Sequence, residues 1–190
     1  MANYVPNFAK TPEQLVVALV NNDNTFGFTE GQYEIKGLTA LAEPNDKGND
    51  TEVKIDLLTI PSEVEGDFWP FYYKRMPLSQ VFSDVTAAGK NVFRQVDVEL
   101  DENGFPVDLA VFRAEILRKY GFNVTEKDYT ITLVSAGAGT GVLRVTAKAE
   151  NLAYTGSFDM GVQDSLASRV AITALNGFSK DSIEEVVPEA

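Results

Sequence analysis

The chain has 190 residues, room for one ordinary domain or two small ones, and at that size about 70% of the unfolded surface can be buried without a disulfide or a metal. It contains no cysteine and no histidine, which excludes Ser-His-Asp and Cys-His catalysis, thiol redox chemistry, haem ligation by histidine and the common zinc sites. With 16 Lys and Arg against 28 Asp and Glu the net charge is −12, the wrong sign for nucleic-acid phosphates or an anionic membrane surface.

In chain order, residues 1–10 read as an extended arm carrying Tyr4, Pro6 and Phe8 without periodicity. The opening Met-Ala-Asn-Tyr-Val-Pro lacks the basic and apolar regions of a signal peptide, so synthesis in the cytoplasm is expected. A helix is expected next: Thr11 as N-cap, Pro12 at the first helical position and Gln14 three residues after the cap. Leu15, Val16 and Leu19 share one face, and the polar run 21–24 ends the helix. The apolar run from Leu15 to Val20 has only six residues, against about 20 for a membrane span.

Strands are expected where apolar and polar residues alternate. Tyr33 and Ile35, then Val53, Ile55 and Leu57, carry this period-two pattern around a polar loop at 43–50. The aromatic stretch 68–73 reads as a strand that Pro70 confines to an edge or bulge. Val96, Val98 and Leu100 alternate again before a turn at 101–104. A second helix over 108–120 puts Leu109, Phe112, Ile116 and Tyr120 on one stripe, with Gly121 as a left-handed cap. Further strands are expected at 129–133, 142–149, 154–162 and 170–175, followed by an acidic tail from 179.

An internal repeat organises these elements. Phe26-Gly-Phe28 and Thr29-Glu-Gly-Gln-Tyr-Glu-Ile35 return as Tyr120-Gly-Phe122 and Thr125-Glu-Lys-Asp-Tyr-Thr-Ile131. Each copy follows an amphipathic helix and precedes alternating strands. The expectation is an α+β fold of two related modules, each a short helix packed on an antiparallel β-sheet. The arm occupies 1–10, the modules 11–90 and 91–178, and the tail 179–190.

Motifs that could carry chemistry each have a plainer reading. Residues 99–104 mimic the start of a calcium loop, but Glu99 stands at its first position and Ala110 at its twelfth, where a bidentate Glu belongs. A turn built on Asn103 and Gly104 fits better. Asn45, Asp46, Asn49 and Asp50 read as a solvated loop. Gly137, Gly139 and Gly141 precede a strand rather than a helix and no lysine follows them, so a hairpin tip is expected in place of a phosphate loop. A carboxylate pair could serve a glycosidase without histidine, and Glu65 and Asp67 beside Phe68 and Trp69 are the nearest candidates, but loop surface is the simpler assignment. The aromatics at 68–73 must divide between two faces, and both faces need cover. A neighbouring subunit can supply some of it, since Trp and Tyr favour interfaces.

The chain also resembles a known family. Tyr73-Lys-Arg-Met-Pro-Leu-Ser-Gln-Val-Phe82, the helix ending Arg118-Lys-Tyr-Gly-Phe-Asn123 with Thr125 and Glu126 after it, Tyr154-Thr-Gly-Ser-Phe158 and Ala174-Leu-Asn-Gly-Phe178 are similar to tandem-domain virion structural proteins of large tailed bacteriophages. The resemblance implies a non-enzymatic component of a phage particle, located in the virion, that binds copies of itself and other virion proteins. It implies no active-site residue to carry over; no cofactor, nucleic acid, membrane or small-molecule substrate is expected. The alternative is a receptor- or glycan-binding module on a phage tail or surface, with a small carboxylate enzyme third. Tyr4, Phe8, Trp69, Phe71 and Tyr73 are the expected interface residues.

Overall fold

The computed structural model describes residues 5–24, 27–58, 68–82, 86–87, 90–91 and 94–165. Helix α1 (Pro12–Asn24) starts as a reciprocal capping box. The Gln14 amide donates to Thr11 Oγ1 at 3.3 Å, and Gln14 Oε1 accepts from the Thr11 amide at 3.1 Å. At its far end the Asn24 side chain donates back to the Val20 carbonyl. Helix α3 (Leu109–Tyr120) is capped by Asp108, whose carboxylate accepts from the Ala110 amide at 2.7 Å, and ends on Gly121 at φ 65°. Arg118 and Lys119 in its last turn suit the negative end of the helix dipole.

The first sheet is a meander, β1 (Tyr33–Ala40), β2 (Thr51–Leu57) and β3 (Phe68–Tyr73), antiparallel throughout and in that spatial order. Pro70 therefore sits in an edge strand, where its missing N–H costs no ladder bond. The chain then passes through β4 (Met76–Pro77), the single-turn helix α2 (Leu78–Val81) and a small pair, β5 (Thr86–Ala87) with β6 (Lys90–Asn91). The second sheet comprises β7 (Gln95–Val98), β8 (Tyr129–Gly137), β9 (Thr140–Ala147) and β11 (Ser157–Asp164), in the order β7-β11-β9-β8. The β8–β9 hairpin turns on Ala138 and Gly139, the latter at φ 68°. Its base is tight. A Cβ on Gly141 would stand 2.8 Å from the Gly104 carbonyl oxygen.

Two pairings depart from the all-antiparallel expectation. Strand β11 runs parallel to β7, and β10 (Tyr154–Thr155) runs parallel to β4. The second joins the two halves of the chain, because β4 follows the first sheet and β10 lies in the chain between β9 and β11 of the second.

Two cores form. The larger surrounds the second sheet and contains Val96, Val98, Leu143, Val145, Met160 and Val162 under Phe112 and Ile116 of α3. At its centre Phe122 meets the rings of Phe82, Tyr129, Tyr154 and Phe158 at centroid distances of 4.9, 5.9, 5.4 and 5.9 Å. The smaller core places Val16 and Val20 of α1 on Val53, Ile55 and Tyr73. Helix α1 serves both, because Leu15 points into the larger core. Leu78 and Phe82 do the same, so packing crosses the expected boundary at 90/91.

The repeated block performs one local task twice. Thr29 Oγ1 donates to Gln32 Oε1 at 2.9 Å, and Thr125 Oγ1 donates to the Asp128 carboxylate. Each closes a turn immediately before a tyrosine, and Tyr33 and Tyr129 are the first residues of β1 and β8. A helix followed by a three-stranded antiparallel meander therefore occurs as α1-β1-β2-β3 and again as α3-β8-β9-β11. The sheets differ in that only the second adds a parallel strand. The expected strand at 170–175 and the acidic tail lie outside the described residues.

The arm does not stand off the body as its lack of periodicity implies. The Asn7 side chain accepts from the Ala9 amide, the Phe8 carbonyl accepts from the Asn123 amide at 3.0 Å, and the Phe8 ring packs against the larger core. The partly buried ring and the two bonds from Asn123, to the Phe8 and Ala9 carbonyls, together offset the entropy of ordering the arm. Pro6 and Phe8 are the covered residues of the described arm, whereas Val5, Asn7, Ala9 and Lys10 are exposed.

Candidate interaction site

The expected interface residues separate on inspection. Tyr4 and the side chain of Trp69 lie outside the described part; the Trp69 backbone pairs with Ile55. Phe8 and Phe71 are half-buried against their own cores, the larger and the smaller respectively. Tyr73 is buried, and its hydroxyl donates to the Leu152 carbonyl at 2.7 Å. Its place is inside the molecule, because the register Thr51↔Tyr73 turns its ring toward α1.

The aromatic that does face solvent is Tyr72, 46% exposed, on the opposite side of β3. Its hydroxyl meets the carboxylate of its cross-strand neighbour Glu52, which raises the phenol pKa above its ordinary value of 10.0. Beside it opens a cleft of about 620 Å³ between β3, the end of α1 and the 43–50 loop. Asp23, Asp46, Lys47, Phe71 and Tyr72 contribute to its walls. The loop holds itself in shape: Asn45 Oδ1 accepts from the amides of Lys47 and Asn49, and Asn49 Nδ2 donates to the Tyr72 carbonyl at 3.1 Å. Asn45 and Asn49 are thus spent on structure, leaving Asp46 and Lys47 to face the cleft.

A second cavity, of about 210 Å³, is apolar and lies between the arm, α1 and the chain around Met76, with Pro6 and Phe8 as one wall. The docked arm makes this wall; nothing in the periodicity of residues 1–10 announces it.

The loop between β9 and β10 fastens the two halves together. The buried Asn151 donates to the Asp128 carbonyl at 3.1 Å and accepts from the amides of Ala153 and Tyr154 at 3.1 and 2.9 Å. Arg75 donates to the carbonyls of Ala149 and Asn151, and the Met76 amide to that of Ala153. Asn151 escaped the sequence reading because a lone Asn between strands looks like any turn residue; its burial is the signal, and burial is a tertiary property.

The resemblance to a calcium loop resolves into a turn. Asp101 Oδ1 accepts from the amides of Asn103 and Phe105, each at 2.9 Å. The Phe105 N–H above all holds its carboxyl below the usual range. Among the described residues no three Asp or Glu side chains gather as cation ligands. None of the described helices is long and apolar enough to cross a membrane.

Burial raises the phenol pKa of both Tyr73 and Tyr129 far above 10.0. A raised folded value means that this contribution to stability is complete below the unfolded pKa near 10 and is lost as pH rises above it. Alkaline titration of the seven tyrosines should therefore show Tyr73 and Tyr129 ionising only as the circular dichroism signal collapses. Reversible ionisation of all seven near pH 10 with the fold intact would contradict this burial.

Comparison with curated proteins finds no match, and comparison with solved structures finds none. A family model does match, over residues 5–185, which include the two larger sheets and the helices α1, α2 and α3 of the described residues. The chain belongs to the family of unknown function DUF7941.

Proposed function

We propose that this chain is a non-enzymatic structural component of a bacteriophage virion that binds copies of itself and other particle proteins. One observation carries the reading. The described segments by which the chain resembles tailed-phage virion proteins meet in the aromatic cluster and the junction beside it: Tyr73 and Phe82, Phe122, and Tyr154 and Phe158. The likeness is therefore one of framework, and proteins that share a framework at this junction share the element that joins their halves. The net charge of −12 and the lack of His and Cys agree with a role without chemistry. Purified particles of a phage encoding this chain should contain it in fixed stoichiometry by quantitative mass spectrometry, with matching density in a whole-particle reconstruction. Its absence from washed particles overturns the proposal.

The cleft beside Tyr72 favours a second reading, a glycan- or receptor-binding module. An exposed aromatic ring flanked by a carboxylate and a lysine offers a stacking face and hydrogen-bonding groups to a sugar. Glycan-array binding that disappears in Tyr72→Ala while the melting temperature holds would select this reading. An empty array would remove it.

A further inference from the structure

Helix α3 is apolar on both sides. Phe112 and Ile116 face the core, yet the opposite face carries Val107 just before the helix, then Ala110, Val111, Ala114 and Leu117, all exposed. Val107, Val111 and Leu117 are 60%, 49% and 39% exposed. At 100° per residue these five positions fall within one stripe about 120° wide, where a surface helix ordinarily carries charge. Such a stripe on a chain this acidic calls for a cover.

We infer that the chain's own segment 166–178 covers it. The described chain leaves off at Ser165, whose amide donates to the Val98 carbonyl, while the Val107 amide donates to the carbonyl of the next residue, Glu99. Successive carbonyls of a strand point to opposite sides. Ser165 and Val107 thus flank the same strand, roughly 10 Å apart at ordinary strand spacing. The segment departs at the foot of the stripe. It is apolar where it needs to be, with Leu166, Val170, Ile172, Leu175 and Phe178 among its 13 residues. Helix α3 is about 18 Å long, and 13 residues span that distance at any regular rise. The acidic residues that follow, Asp181, Glu184 and Glu185, would then arrive at the basic last turn of α3 with Arg118 and Lys119. The family match continues to residue 185, so this segment belongs to the same family unit as α3. The inference stands apart from the virion proposal.

The absence of cysteine makes the test clean. Val111→Cys in the full chain should react with a maleimide about tenfold more slowly than the same substitution in a chain truncated after Ser165. Leu133→Cys, on the far edge strand β8, should react equally in both. In the full chain, Val111→Cys combined in turn with Val170→Cys, Ile172→Cys or Leu175→Cys should give an intramolecular disulfide in at least one pair, seen as a fast-migrating monomer on non-reducing gels. This arm needs no truncated protein. Equal maleimide rates, or no disulfide in any pair, overturn the inference. Disulfides that form only between chains overturn it too, and assign the stripe to a second copy.

Discussion

Phe122→Ala is expected to be the most destabilising single truncation among the described residues, costing about 4 kcal/mol. Phe122 is 1% exposed and touches four other rings, three of them edge-on as aromatic pairs prefer. Those rings come from the C-cap of α2 and from β8, β10 and β11, so no single backbone shift can close the space left behind. For a chain of this length the loss corresponds to a fall in melting temperature of roughly 8–16 °C. Phe122→Leu, which keeps most of the volume, should cost less than half as much. Urea unfolding of both variants measures this directly. A fall of under about 3 °C for the alanine variant would mean that the ring is not at the centre of the core.

Asn151→Ala should follow, at about 3 kcal/mol. Its side chain carries one donor and one acceptor role, and both are used within the buried loop: the Asp128 carbonyl on one side, the Ala153 and Tyr154 amides on the other. Alanine removes little apolar surface but strands the Ala153 and Tyr154 amides, the Asp128 carbonyl keeping its bond from the Lys148 amide, and stranded groups cost more than the bonds contributed. The effect should be local before it is global. Hydrogen exchange at Ala153 and Tyr154 should accelerate well beyond the change seen in β9 and β11, since the junction opens first. Uniform acceleration everywhere would show that Asn151 has no special role in that junction. Asn151→Asp should not rescue stability, because it keeps the acceptor, loses the donor and buries a charge.

The sequence by itself determined the elements whose signals lie within a few residues. The reciprocal bonds of Thr11 and Gln14, the Asp108 cap, the left-handed Gly121, the hairpin at Ala138 and Gly139 and the edge position of Pro70 all follow from backbone preferences and side chains within reach of their own turn. The two Thr-Glu-x-x-Tyr blocks belong here as well, since each threonine closes its turn with the residue three places on. Tertiary structure alone decided the rest. Period-two alternation says that a strand has two faces, but register chooses the inward one, and register put Tyr73 inside and Tyr72 outside. It does not say which strand lies beside which, so the parallel pairing of β7 with β11 left no local trace. The same limit hid the docked Phe8 and the anchoring role of Asn151. Their partners, Asn123 and Asp128, are distant in sequence, and only the folded chain brings such groups within hydrogen-bonding range.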